Sequence, residues 1–131
     1  MTTSAAPPRH ARRWALRLRR DALSAGRARA AIGDWLAGAD PALRVDAVLI
    51  ASELVANAVK YGRPPILLCA ELDAERLRLE VCDAGTQLPR RRRPGPNGGG
   101  WGLPIVHRLA ERWGAATNPT RVWCELRVAS R

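Results

Sequence analysis

Lysine is nearly absent from this chain: of its 22 basic residues only Lys60 is a lysine, and the rest are arginines. No apolar run approaches the length of a membrane span, so no membrane association is expected. The opening "MTTSAAPPRHARR" has no apolar h-region, which excludes a secretory signal peptide of the usual kind. Cysteine is scarce too. Cys69, Cys82 and Cys124 are odd in number, far apart and without a CxxC pair, which excludes a disulfide framework or a zinc site. Three buried strand thiols in a reducing cytoplasm are expected instead. What is present is a chain of 131 residues, 47% apolar, enough for one domain with a real core. The formal net charge of +10 suits a nucleic acid or an acidic protein partner. The arginines are spread over several segments and no nucleic-acid motif accompanies them, so nucleic acid is the weaker of the two.

Residues 1–12 read as a disordered basic arm and 13–131 as a single domain. "WALRLR", Trp14 to Arg19, alternates apolar and basic residues as a half-buried strand does. From Ala22 to about Ala37, Leu23, Ala30 and Trp35 are the apolar positions of an amphipathic helix, which "GADP" ends. A second helix runs from about Ala42 to Tyr61 and stops at Gly62, with Pro64 and Pro65 beyond. Ile66 to Leu72 and Leu77 to Asp83 alternate with period two around a short turn, a hairpin whose Leu77, Leu79 and Val81 share one face. "TQLPRRRRPGPNGGG" is a loop. A third helix spans roughly Leu103 to Trp113, with Leu103, Val106, Leu109 or Ala110, and Trp113 as its apolar stripe and Gly114 at its end. "RVWCELRV" is a further strand, with Val122, Cys124, Leu126 and Val128 on one face. The order predicts an α/β two-layer sandwich: a mostly antiparallel mixed sheet covered on one face by three helices.

Chemistry has three places to reside. In "IASELVANAVKYG", Glu53, Asn57 and Lys60 fall three and four residues apart and share one helical face. The plain reading is a solvent stripe. The functional one is a pocket wall, with a carboxylate that takes a proton from a hydroxyl and an amide oxygen that suits Mg²⁺. Lys60 would add positive charge near phosphate. In "CDAGTQLP", Asp83 ends a strand two residues before Gly85: either a turn signal or a carboxylate that accepts from an adenine amine. In "GPNGGGWGLPIV", Gly98, Gly99, Gly100, Trp101 and Gly102 lead to a helix start at Leu103, where backbone amides bind phosphate well. No Lys-Ser or Lys-Thr follows these glycines, so this is not a Walker A loop.

Together, in this order, "SELVANAVKYG", "DAGTQLP" and "GGGWGLPIV" resemble the N box and the two glycine boxes of the GHKL, or Bergerat, ATP-binding fold, over about Trp14 to Val128. The pattern is most similar to the anti-sigma-factor serine kinases of actinobacteria. The resemblance implies ATP and Mg²⁺ as cofactors. Glu53 would be the general base toward an accepting serine, Asn57 the Mg²⁺ ligand and Asp83 the reader of the adenine amine. Gly98 to Gly102 would belong to a phosphate lid, with Gly85, Trp101 and Leu103 giving shape. It also implies a sigma factor and an anti-sigma antagonist as partners, and a homodimer. An ATP-binding module that sequesters a partner without phosphoryl transfer is the alternative. Two positions depart from the pattern: many relatives have His at Tyr61, and Thr immediately before the final Val-Trp, where this sequence has Arg121. Arg90 to Arg93 in the lid would meet a triphosphate or an acidic partner, or simply be solvated.

Overall fold

The computed structural model describes residues 11–85 and 103–128. Five strands and three helices follow in the order β1 (Arg12–Leu18), α1 (Ser24–Trp35), α2 (Pro41–Tyr61), β2 (Ile66–Leu72), β3 (Arg76–Cys82), α3 (Leu103–Leu109), β4 (Arg112–Ala116) and β5 (Arg121–Arg127). The strands form one sheet, β1-β2-β3-β5-β4, and every pairing is antiparallel. The helices cover one face. The two-layer sandwich expected from the sequence is present, with no parallel pair among the described strands. Arg12 belongs to β1 rather than to the arm, of which residues 1–10 lie outside the described residues.

α2 is the central helix. Pro41 opens it without sacrificing a donor, and the Asp40 carboxylate caps it by accepting the Leu43 N–H at 3.1 Å. Its Ala47, Ile50, Ala51, Leu54 and Val55 are buried against the sheet and α1. Opposite them stand Leu68, Leu77, Leu79 and Val81, also buried; each such leucine stabilises the fold by about 1.5–3 kcal/mol relative to exposure. α1 lies along α2, but on a different face from the one its sequence suggested. Leu23 is 67% exposed and Ala30 is exposed, while Ala28, Ile32 and Leu36 are fully buried and Ser24 starts the same stripe. That stripe repeats every four residues and begins with small side chains, which lets the two helices approach. Trp35 stacks on Trp14 of β1, with ring centroids 6.3 Å apart, and ties α1 to the sheet's edge.

The third helix is shorter than expected. It ends at Leu109, and Trp113 and Gly114 lie in β4, paired with Cys124 and Trp123 of β5. Gly114 is needed there because the Trp123 indole covers it: a Cβ would meet the ring at 2.7 Å. The cysteines also divide differently. Cys124 is buried in the core, and burial pushes its thiol up to about 12. Cys69 and Cys82 are half-buried on the sheet's open face, not in the core. Desolvation and then the Glu80 carboxylate raise both, Cys82 to about 11.

The open face is organised in rows across the strands. One row reads Arg13, Glu71, Arg78, Glu125, Arg112, in register over all five strands. Its ion pairs are Arg13–Glu71 at 3.4 Å, Arg78–Glu125 at 3.6 Å and Arg112–Glu125 at 2.7 Å. Opposite charges facing one another across strands favour this register.

Candidate functional site

The last two turns of α2, the end of β3, the start of β5 and the first residue of α3 meet around one pocket. α2 contributes Leu54, Asn57, Ala58 and Tyr61, spaced so that they share a helical face. Gly62 follows at the helix end, and Val81, Asp83, Leu103, Thr120 and Val122 complete the wall.

Asp83 is the pocket's most constrained polar group, only 8% exposed. Its Oδ1 accepts the N–H of Gly85 at 2.6 Å and that of Arg63 at 3.3 Å. Two backbone donors fix the plane of the carboxylate. Its Oδ2 accepts no hydrogen bond from the described residues and lies against Gly62. A Cβ on Gly62 would stand 2.5 Å from Oδ2 and 2.7 Å from the Ala58 carbonyl, so only glycine fits between the helix end and the carboxylate. A buried acceptor without a donor is costly, about 1–3 kcal/mol, and a ligand N–H at Oδ2 would remove that cost.

Thr120 is a site residue that the sequence reading missed. It is 3% exposed. Its N–H donates to the Gly85 carbonyl at 2.9 Å, its hydroxyl donates to the same oxygen at 3.0 Å, and its own carbonyl accepts the Asp83 N–H at 3.0 Å. The Asp83–Gly85 turn is thus clamped to the start of β5. Arg121, the position that departs from the pattern, is exposed at the start of β5, and the threonine before it, Thr120, lines the pocket. The signal available was the alternation of "TRVWCEL", which puts Thr120, Val122, Cys124 and Leu126 on the inner face.

The polar line on α2 is divided by its surroundings. Asn57 lines the pocket with Asp83 and makes no hydrogen bond among the described residues. Glu53, one turn earlier and half-buried, lines a groove between α1 and α2 beside Arg29, Asp34, Arg44 and Ser52. In that groove the Arg29 guanidinium donates to the Ser52 hydroxyl at 2.7 Å, and Glu53 carries no hydrogen bond or ion pair among the described residues. Lys60 is exposed in the last turn of α2, where its charge suits the helix's negative end, and it does not line the pocket. Gly85 is at the pocket through Thr120, and Leu103 lines it at the start of α3. Gly98, Gly99, Gly100, Trp101, Gly102 and the Arg90–Arg93 run lie outside the described residues.

A family model, described as a histidine kinase-like ATPase domain, matches residues 18–127. The chain belongs to the histidine kinase-like ATPase family. The match takes in the pocket and strands β2 to β5, and reaches β1 only at Leu18. A similar solved structure is that of the RsbU and RsbW domains of Rv1364c from Mycobacterium tuberculosis, 25% identical with a TM-score of 0.70. The alignment covers 89% of this chain and 32% of that one, so this chain spans about a third of the structure it resembles. No curated protein matches the sequence. The fold is thus that of a GHKL ATP-binding domain, as the three sequence boxes implied. No helix among the described residues is long and apolar enough to cross a membrane.

Proposed function

We propose that this chain is an ATP-dependent protein serine kinase of the anti-sigma type, which binds a sigma factor and phosphorylates a serine of an anti-sigma antagonist. The observation that carries the nucleotide half of this reading is Asp83. Its buried Oδ2 has no donor among the described residues and lies at the end of a pocket walled by Leu54, Ala58, Val81 and Val122. An apolar slot with one fixed acceptor suits an adenine ring and its exocyclic amine. The likeness to a structure containing an RsbW domain supports the anti-sigma half.

In this reading Asn57 offers its amide oxygen to Mg²⁺, which when bound neutralises phosphate charge. Among the described residues no group of three His, Cys, Asp or Glu could hold a metal ion. An Mg²⁺ carried by one amide together with phosphate oxygens and water fits that sparse donor set. Glu53 accepts the proton of the serine hydroxyl as its oxygen attacks the terminal phosphorus of ATP and ADP departs.

Glu53's position also favours a second reading. It lines the groove on the α1 side rather than the pocket that holds Asn57 and Asp83. A domain that binds ATP and sequesters its partner without transferring phosphate would tolerate that separation. Titration with Mg²⁺-ATP by calorimetry, followed by phosphotransfer assays on proteins encoded by neighbouring genes, tests both. Binding with transfer to a serine supports the kinase; binding without transfer leaves the sequestering module; no binding removes both.

A further inference from the structure

The exposed cations of this chain are sorted by the fold. At the turn end of the hairpin and along the charged row, arginines have acidic partners: Arg76 and Arg127 share Glu111, and Arg112 takes Glu125. At the opposite end of the sheet, where β1 and β3 finish and β2 and β5 begin, none does. Arg17, Arg19, Arg20, Lys60, Arg63 and Arg121 are all exposed there, and none has an ion pair among the described residues. The carboxylates of this end are already committed: Asp21 lies 3.9 Å from Arg27, and Asp83 is buried on backbone N–H groups. Segments far apart in sequence therefore deliver six uncompensated positive charges to the rim that surrounds the pocket's Asp83 end.

The open-face part of this rim has a defined layout. Arg17, Leu67, Cys82 and Arg121 stand in register on four neighbouring strands. Strand spacing puts the two arginines about 14 Å apart. Between them Leu67 is 37% exposed, an apolar centre flanked by guanidinium groups. Arg20 is held in place as well, its Nε donating to the Val59 carbonyl at 2.9 Å.

We propose that this end of the sheet is a docking surface for an acidic protein face, with carboxylates that meet Arg17, Arg63 and Arg121 around an apolar side chain set on Leu67. Guanidinium groups favour bidentate pairing with carboxylates, and an apolar centre with a charged rim is the usual anatomy of a protein interface. Nucleic acid fits less well. Among the described residues no helix or two-stranded ribbon projects from this end to enter a groove, and Trp123 on the open face is capped by the Arg78 guanidinium at 4.6 Å, which removes it as a base-stacking platform. The proposal does not depend on phosphoryl transfer.

Two quadruple variants with equal charge loss test it. One is Arg17→Ser, Arg19→Ser, Arg63→Ser and Arg121→Ser; the other is Arg13→Ser, Arg76→Ser, Arg112→Ser and Arg127→Ser. The probes are a fluorescein-labelled glutamate-rich peptide carrying leucines and a labelled DNA duplex of similar charge, followed by anisotropy over a salt series. The first variant is expected to lose at least about tenfold in peptide affinity and most of its salt dependence, and the second no more than about threefold. The DNA is expected to bind more weakly than the peptide. If the first variant does not fold, the Arg17→Ser, Arg121→Ser pair should still lose about threefold or more. Equal losses in the two quadruple variants would reduce the effect to net charge and overturn the proposal. So would no peptide binding by the unaltered protein, or tighter binding of DNA through the same residues.

Discussion

One sheet face carries two rows of arginines, four residues apart along β1, and the fold treats them oppositely. In the row from Arg13 to Arg112, alternating glutamates neutralise each arginine and the strands are held in register. In the row from Arg17 to Arg121 the intervening residues are Leu67 and Cys82, and neither arginine has an acidic partner among the described residues. The same division holds in the interior. The far side of the core is closed by Leu77, Leu79 and Leu126, whereas the near side ends in a buried aspartate with one oxygen unfilled and a glycine pressed against it. Satisfied groups mark the half of the molecule that only has to be stable. Unsatisfied ones mark the half in which both proposed binding surfaces lie.

Substitutions in the two halves should therefore fail in different assays. The largest effect is expected for Glu53→Gln, which should cut phosphate transfer by roughly 10²–10⁴-fold while leaving the calorimetric affinity for Mg²⁺-ATP unchanged. Retained transfer would remove Glu53 as the base. Gly62→Val and Gly114→Ala both introduce a Cβ into contact below 3 Å, but against different neighbours. Gly62→Val should weaken ATP binding at least about tenfold through displacement of Asp83, together with a lower melting temperature. Gly114→Ala should cost about 1–3 kcal/mol of stability in urea denaturation with ATP affinity intact. The smallest effect belongs to the paired row. Arg112→Ser should change stability by no more than about 1 kcal/mol and ATP affinity not at all, as is usual for an exposed ion pair.

Much of this was legible in the sequence. The hairpin alternation and the glycine-stopped α2 were each set by local pattern, and the three boxes named the fold because their order is more specific than any one of them. What was hidden depended on tertiary context. Trp113 falls in phase with Val106 and Leu109, and Gly114 looks like a helix end, so β4 was absorbed into α3; its strand character comes from pairing with β5. The buried stripe of α1 rests on small residues, Ser24 and Ala28, which hydropathy undervalues against Leu23. Glu53 and Asn57 share a helical face, but periodicity alone does not reveal which neighbour covers each turn. The arginines at 17, 63 and 121 lie in separate segments, and only the register brings them to one end.

The central claim is that Asp83 reads an adenine amine in a nucleotide pocket. Calorimetric titration of the protein and its Asp83→Asn variant with Mg²⁺-ATP and Mg²⁺-GTP tests it most directly, because guanine presents an acceptor where adenine presents a donor. ATP is expected to bind at least about tenfold more tightly than GTP, and Asp83→Asn to lose about 1–3 kcal/mol of ATP binding. Equal affinities for the two nucleotides, or an Asp83→Asn variant that binds ATP as well as the unaltered protein, would contradict it.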